Sequence, residues 1–125
     1  MIKVDYDCGK NAVIVELAGN VDAAQAGQML FEIESVLANV EKGFKLLVDY
    51  SAVETTEPDV EGVIVKGMDF FNAKGVDEVI RVLPDPDLEI GFNELSVFHY
   101  SRSVEIRSVR TRAEAEALLR EKIKG

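Results

Sequence analysis

The first part of the chain has the pattern of a β-hairpin. Residues 2–6 alternate apolar and polar side chains, as a half-buried strand does. Turn-forming residues follow at 7–11, and a second apolar segment runs from Ala12 to Leu17. Gly19 and Asn20 are predicted to close this second segment. The pattern therefore predicts two paired strands joined by a tight turn.

A helix is predicted directly after the hairpin. Asp22 and Gln25 have the spacing of a capping box, in which the first side chain accepts from an amide N–H of the first helical turn. From Ala26 onward the apolar residues recur with a period of about 3.6 residues. They are Leu30, Ile33, Val36, Leu37 and Val40. Gly43 is the predicted C-terminal cap of this amphipathic helix.

The next two segments repeat the alternation of strand and helix. The apolar run from Phe44 to Tyr50 is typical of a strand that is covered on both faces. A polar loop is predicted over residues 51–59, with Thr56 as a candidate N-cap. A second apolar stripe then predicts a helix that ends near Gly75. This order predicts a right-handed parallel crossover between the two flanking strands.

The following segments predict a fourth strand and a third helix. Val76 to Leu83 has the pattern of a buried strand. Asp85 and Pro86 have the residue types of an N-cap and a first helical position. The apolar positions of this third helix are Leu88, Phe92 and Leu95.

The chain closes with one more strand and one more helix. Residues 104–109 alternate as a strand, and Thr111 with Glu114 forms a second capping box, before Leu118, Leu119 and Ile123. The element order is therefore β-β-α-β-α-β-α-β-α, and no linker or repeat interrupts it. We expect one domain over residues 1–125, an α/β fold whose mixed, largely parallel sheet has about five strands and about four helices.

The charge of the chain narrows the choice of partners. With 14 basic and 23 acidic residues, the net charge is −9. This charge opposes binding to nucleic-acid phosphates and to anionic lipids, so we expect a partner with a basic face and no nucleic acid. Two interpretations stay open for the basic residues of the last quarter, a contact with the acidic remainder of the chain or, as we expect, a solvated surface of mixed charge: Arg102, Arg107, Arg110, Arg112 and Arg120.

The residues also predict a cytoplasmic location. Cys8 is the only cysteine, so no internal disulfide can form and a reducing compartment fits. The N-terminus lacks the basic start and apolar stretch of a signal peptide, and no apolar run reaches the roughly 18 residues of a membrane span.

No catalytic motif stands out. His99 is the only histidine and is predicted to have a packing role or a helix-terminal role. Cys8 lacks the basic surroundings of a reactive thiolate. The acidic cluster of residues 54–61 lacks the ligand spacing of a calcium loop. We therefore expect a binding protein, with no catalytic residue, no cofactor and no metal.

The order of elements and several local motifs resemble the STAS family, which includes bacterial anti-sigma factor antagonists and the cytoplasmic tails of anion transporters. Residues 13–24 are similar to the family's second strand, its glycine turn and the aspartate that opens the first helix. Residues 46–53 are similar to the next strand, in which an aspartate and a small residue follow the hydrophobic run. The resemblance covers nearly the whole chain and implies a STAS-like fold and a role in regulation and signalling.

The resemblance also locates the family's regulatory switch. In the family, an Asp-Ser-Ser-Gly motif at the start of the second helix carries the serine that a partner kinase phosphorylates. Asp59-Val60-Glu61-Gly62 occupies this place, so Asp59 and Gly62 are retained and Glu61 stands at the position equivalent to the phosphorylated serine. A carboxylate carries a charge near −1, whereas a phosphoserine carries about −1.5 to −2. We therefore expect no serine phosphoswitch, and an ordinary helix-start role for Glu61 stays open.

Two threonines in the same segment offer other hydroxyl groups. Thr55 and Thr56 are candidate phosphorylation sites, a hypothesis that phosphopeptide mass spectrometry of protein from its host would test.

The resemblance implies a non-catalytic module that binds a protein partner, such as a kinase-type anti-sigma factor, as a monomer or homodimer. The residues expected at the partner-binding surface are Asp22, Glu57, Asp59, Glu61, Gly62 and Phe70. Partial burial is an alternative for Phe70. A different functional class also stays open, in which a small molecule or lipid binds an apolar cleft between the second and third helices, lined by Phe71, Phe92 and Phe98.

Overall fold

The computed structural model describes residues 1–120 and, among them, all side chains except those of residues 86–89, 91 and 98. Within residues 1–120, five strands and four helices follow the predicted order. The strands are β1 (Ile2–Asp7), β2 (Ala12–Val21), β3 (Lys45–Thr56), β4 (Glu78–Val82) and β5 (Glu105–Val109). The helices are α1 (Ala23–Leu37), α2 (Val60–Ala73), α3 (Pro86–His99) and α4 (Arg112–Arg120).

The strands form one mixed sheet. Their order in space is β1-β2-β3-β4-β5, the same as their order along the chain. β1 pairs with β2 in antiparallel orientation, and the other three pairings are parallel. Each parallel pair is connected through a helix, since a tight turn cannot join parallel strands. The predicted α/β class, the mixed and largely parallel sheet and the element order are therefore confirmed.

The helices cover the two faces of the sheet unequally. Side chains of α1, α2 and α3 pack together with one face, and this larger core includes Met29, Met68 and Phe92. α4 alone packs on the opposite face, through Ala115 and Leu119. The apolar run of β3 is buried on both sides, as its pattern predicts. One face of the sheet therefore carries three helices, and on that face α2 and α3 lie beside the carboxyl end of β3.

Strands β2 and β3 both extend further than their apolar patterns predict. Their pairing continues beyond Glu16 and Asp49 through two register shifts and ends at Val21 opposite Thr56. Gly19 lies at these irregularities with φ +70°, a conformation that glycine adopts without strain. The prediction that residues 19–20 close the strand is therefore wrong, and the predicted loop over residues 51–59 is correct only for residues 57–59. The extended part is mostly exposed, so its polar side chains resemble those of a loop.

The start of α1 follows the prediction, but its end does not. Asp22 is the N-cap, and its Oδ1 accepts a hydrogen bond from the amide of Gln25 at 2.8 Å. The helix ends at Leu37 with Ala38 as the C-cap, so the prediction that Gly43 is the cap is wrong. Gly43 instead has φ +88° in the turn before β3, where its amide donates to the carbonyl of Gly75.

Helix α2 begins at Val60, directly after the polar segment as predicted, but the candidate N-cap Thr56 does not cap it. Its N-cap is Asp59, because Thr56 is still paired with Val21 in the sheet. Its end agrees with the prediction, since Lys74 is the C-cap and Gly75 follows with φ +88°. Only three residues, 57–59, therefore separate the end of β3 from the start of α2.

The last two helices also begin where the sequence predicts. α3 starts at Pro86. Before α4, Thr111 Oγ1 accepts from the amide of Glu114 at 3.2 Å and donates to its carboxylate at 3.1 Å. Ile123, predicted on the apolar face of this helix, lies outside the described residues. Within the described part of the chain, every helix is too short or too polar to cross a membrane.

An acidic cleft at the start of the second helix

A cleft of about 710 Å³ opens between the carboxyl end of β3, the first turn of α2 and the helix α3. We call it the α2–α3 cleft. It lies where the crossover from β3 to α2 leaves the sheet, at the carboxyl end of a parallel strand, a common position for binding sites in such folds. The described residues that line it are Leu17, Tyr50, Val53, Glu54, Thr55, Thr56, Glu57, Pro58, Val60, Glu61, Ile64, Phe92, Glu94 and Leu95.

The floor of the α2–α3 cleft is apolar. Leu17 and Val60 are buried in it, and Ile64 and Leu95 are half-buried. On one side the rings of Tyr50 and Phe92 lie with their centroids 4.8 Å apart. Burial raises the pKa of Tyr50 to about 12, against the opposing effect of a nearby arginine, so its hydroxyl stays neutral at physiological pH. The floor therefore offers apolar and aromatic surface without a charge.

The rim of this cleft is acidic. Glu54, Glu57, Glu61 and Glu94 line it and are exposed. The lining residues that the structure describes include no lysine, arginine or histidine. Glu94 joins the rim from α3, whereas Glu54 lies near the end of β3, Glu57 in the connection that follows and Glu61 in the first turn of α2. Because no basic side chain of the described lining neutralises them, the four carboxylates give the mouth a negative potential.

One rim residue also fixes the start of another helix. Glu57 Oε1 accepts from the amide of Ala23 at 2.9 Å, and the Glu57 amide donates to the carbonyl of Val21. Together with the Asp22 cap, this bond satisfies two of the amides that an α-helix leaves without partners at its N-terminus. Of the predicted partner-binding residues, Asp22 therefore caps its own helix, and Glu57 connects the start of α1 to the segment that follows β3.

Glu57→Ala is expected to lower the free energy of unfolding by about 1 kcal/mol, because it leaves the amide of Ala23 without its side-chain acceptor. Asp59→Ala is the matched control, since the Asp59 side chain makes no capping bond. Urea unfolding followed by circular dichroism measures both changes. An equal effect of the two substitutions would contradict the capping role of Glu57.

The first turn of α2 presents a small exposed surface, which we call the first-turn patch: Asp59, Glu61 and Gly62. All three residues are exposed. Apart from its chain neighbours and the nearby backbone of its own helix, no described atom lies within 4 Å of the position that a Cβ on Gly62 would occupy, so the space above the helix is open there. The sequence predicted these three residues together, and the structure places them side by side.

The remaining predicted site residues lie around this patch. Thr55 and Thr56 are exposed, and Thr55 Oγ1 donates to Asn20 Oδ1 at 2.5 Å. Phe70 is half-buried against the main core and lies outside the described lining of the cleft. Partner binding by Phe70 and phosphorylation of the threonines stay predictions.

The predicted aromatic lining of the cleft is only partly correct. Phe92 lines it, but Phe71 lies in the core, with its ring centroid 6.3 Å from that of Phe44. Phe71 is on the face of α2 that packs on the sheet, whereas the cleft lies at the end of this helix. The side chain of Phe98 lies outside the described residues.

A buried arginine lies behind the cleft, and sequence reasoning missed it. Arg81 of β4 is 2% exposed, and its guanidinium lies 5.3 Å from the ring centroid of Phe92. It donates to Ser96 Oγ through Nη2, while Nη1 has no hydrogen-bond partner among the described residues and the side chain lines a cavity of about 30 Å³. Burial lowers the pKa of Arg81, and Tyr50 and Tyr100 oppose this effect. A single arginine inside the apolar run of residues 76–83 was the available signal.

A second arginine joins three carboxylates on the opposite face of the sheet. Arg112 Nη1 lies 2.9 Å from Glu16 Oε1 and 3.1 Å from Asp49 Oδ2, and its Nε lies 3.0 Å from Glu116 Oε1. For this residue, the prediction of a solvated mixed-charge surface is wrong. Arg112 is half-buried at the start of α4 and joins that helix to β2 and β3.

The other candidate chemical groups have ordinary surroundings. His99 Nδ1 lies 2.8 Å from Asp69 Oδ1, so it connects the last turn of α3 to α2. Cys8 is exposed in the first turn. Among residues 1–120, no three histidine, cysteine or carboxylate side chains gather closely enough to hold a metal ion.

Solved structures share this fold. No protein-family model matches the sequence, and no curated protein is significantly similar to it. An uncharacterized DUF3478-family protein from Shewanella loihica PV-4, with a SpoIIAA-like fold, is 15% identical with a TM-score of 0.70, over 95% of this chain and 92% of that chain. The anti-sigma factor antagonist SpoIIAA in its unphosphorylated form is 15% identical with a TM-score of 0.70, over 98% and 100% of the two chains.

A further similar structure is an anti-sigma factor antagonist from Mycobacterium paratuberculosis. It is 18% identical with a TM-score of 0.61, over 97% of this chain and 94% of that chain. At these identities the similarity establishes the fold. The chain therefore has a SpoIIAA-like, that is STAS-like, fold, and the resemblance seen in the sequence is confirmed at that level.

Proposed function

We propose that this protein is a non-catalytic regulatory module that binds a partner protein through the first-turn patch. The observation that carries this proposal is the exposure of Asp59, Glu61 and Gly62 at the start of α2, next to an open space above the helix. The SpoIIAA-like fold supports it, because two of the similar structures are those of anti-sigma factor antagonists. A kinase-type anti-sigma factor is the proposed class of partner.

The proposed module works without a serine phosphoswitch. Its first-turn patch contains no serine, and Glu61 carries a fixed charge near −1 at the position equivalent to the family's phosphorylated serine. Binding through this patch would then depend on the concentration of the partner and not on the phosphorylation of this residue.

Reversing the charge of the first-turn patch is expected to abolish capture of the partner. Asp59→Arg/Glu61→Arg removes two carboxylates and adds two cations at the proposed interface, where like charges oppose binding to a basic face. The measurement is affinity capture from host lysate with the purified protein as bait, quantified by mass spectrometry.

The matched control is Asp5→Arg/Glu34→Arg, which makes the same change in net charge at two exposed positions away from the patch. Urea unfolding of both variants shows that each is folded. A protein that is retained by the natural chain and equally by both variants would contradict the proposed surface.

The size of the α2–α3 cleft supports a second candidate function, the binding of a small apolar molecule. Volumes of about 300–1,000 Å³ are usual for ligand sites. The four rim carboxylates disfavour fatty acids and other anionic lipids, so a neutral or cationic molecule fits better. Native mass spectrometry of the purified protein distinguishes the two functions, because a co-purifying ligand would favour the second.

A further inference from the structure

We propose that the α2–α3 cleft receives a basic amphipathic segment of the partner protein. In this arrangement the apolar side chains of the segment lie on the cleft floor, and its lysines or arginines face the acidic rim. The inference rests on the proposed function, because it specifies the chemistry of the protein that the first-turn patch binds. Glu61 belongs to both surfaces, so one partner can cover the two together.

The floor of the cleft provides the apolar half of this recognition. Tyr50, Val53, Ile64, Phe92 and Leu95 are all half-buried and turned to the same space. The volume of about 710 Å³ accommodates several apolar side chains and not just one. A helix that presents side chains at i, i+3 and i+4, or i, i+4 and i+7, supplies such a set from one face.

The rim provides the electrostatic half. Four carboxylates surround the mouth, and no basic residue of the described lining opposes them. The net charge of the chain, −9, has the same sign as the rim. A partner with basic residues beside its apolar ones gains attraction at every position of the rim, whereas an acidic segment is repelled.

The walls of the cleft are held in place before any partner arrives. On one side, residues 52–56 of β3 pair with β2, and Glu57 is bonded to the start of α1. On the other side, α3 is connected to the core by the Arg81–Ser96 bond and to α2 by the His99–Asp69 pair. Because the site is preformed, the protein loses less conformational entropy on binding. This favours a stable complex with a short segment.

Fluorescence anisotropy with three labelled synthetic peptides of about 16 residues tests the inference. The first has a leucine stripe at helical spacing and lysines on its other face. The second keeps the stripe and replaces lysine by glutamate. The third keeps the lysines and replaces leucine by glutamine. Only the first is expected to bind, and its affinity should fall when the salt concentration is raised from about 0.05 M to about 0.3 M.

Rim variants locate the binding. Glu54→Lys/Glu94→Lys is expected to weaken binding of the first peptide by about tenfold or more, since two attractions become repulsions. Asp5→Lys/Glu34→Lys makes the same charge change elsewhere and is expected to weaken it far less. Backbone amide shifts in NMR spectra should move at Val53, Ile64 and Leu95 on addition of the peptide.

Several outcomes would overturn the inference. They are equal binding of all three peptides, equal loss of affinity in the rim and control variants, and amide shifts confined to another surface. A captured partner that is lost by the Asp59/Glu61 variant but retained by the Glu54/Glu94 variant would leave the proposed function standing and overturn only the cleft. Peptide binding without any captured partner would contradict the proposed function and support only the apolar and acidic chemistry of the cleft.

Discussion

Arg81→Met is expected to leave the protein at least as stable as the natural chain, whereas Arg81→Ala is expected to be about 3 kcal/mol less stable than Arg81→Met. Arg81 is 2% exposed and its guanidinium has no carboxylate partner among the described residues, so no ion pair offsets the cost of removing its charge from water. Methionine fills a similar volume without a charge. Alanine leaves a cavity in the main core.

The hydrogen bonds around Arg81 also favour an unchanged or higher stability of Arg81→Met. Ser96 Oγ donates to the carbonyl of Phe92 at 2.7 Å, so this hydroxyl keeps a partner when the guanidinium is removed. The contact with the Phe92 ring is lost, but such contacts contribute only about 0.5–2 kcal/mol. Urea unfolding of the three proteins measures the differences. A loss of more than about 2 kcal/mol in Arg81→Met would show instead that the aromatic and polar contacts of Arg81 outweigh its desolvation.

Arg112→Met is expected to lower the free energy of unfolding at pH 7 by about 2 kcal/mol, because it leaves three carboxylates together without a cation. One of them, Asp49, is only 9% exposed. The expected loss of stability is smaller than for a fully buried ion pair, since solvent reaches part of Arg112 and of the two glutamates. Like charges at Glu16 and Asp49 would then repel across neighbouring strands.

The effect of Arg112→Met is expected to shrink as the pH falls. Burial alone would raise the pKa of Asp49, but hydrogen bonds from Ser51 and Arg112 more than offset this and hold it below its usual value. A lowered pKa in the folded state adds stability that is present above the unfolded pKa, about 3.9, and is lost as the pH falls through the folded pKa. The difference in the free energy of unfolding between the natural chain and the variant should therefore be largest at neutral pH and decline below about pH 4.

The control for this experiment is Arg102→Met, which removes an exposed arginine of the same quarter of the chain. It is expected to change the stability by less than about 0.5 kcal/mol at any pH. Urea unfolding at pH 7 and at acid pH gives both comparisons. A pH-independent loss in Arg112→Met would show that packing of its side chain, and not its charge, stabilises the contact between α4 and the sheet.

Much of the fold could be predicted because its signals are local. The stripe of α2, the cap at Asp22 and the box at Thr111 each depend on residues within one or two helical turns of one another. The errors occur where local and tertiary signals differ. The polar end of β3 resembles a loop, and only its pairing with β2 makes it a strand.

The candidate site was predicted in part. Its position at the start of α2 followed from the motif at residues 59–62, of which Asp59, Glu61 and Gly62 are exposed. Glu57 belongs to the same acidic cluster, yet its carboxylate bonds to an amide 34 residues away in the chain. Glu94 was not predicted at all, since only the packing of α3 beside α2 brings it to the rim.

The sequence by itself determined the number, type and order of the elements, the acidic character of the chain and the absence of a serine from residues 59–62. These properties depend on composition or on neighbouring residues. The tertiary structure alone decided that a cleft exists, which carboxylates surround it and which of them are bonded elsewhere. It also decided that Arg81 lies in the core and that Arg112 joins three carboxylates. Each of these depends on residues that are distant along the chain and meet only when the helices pack on the sheet.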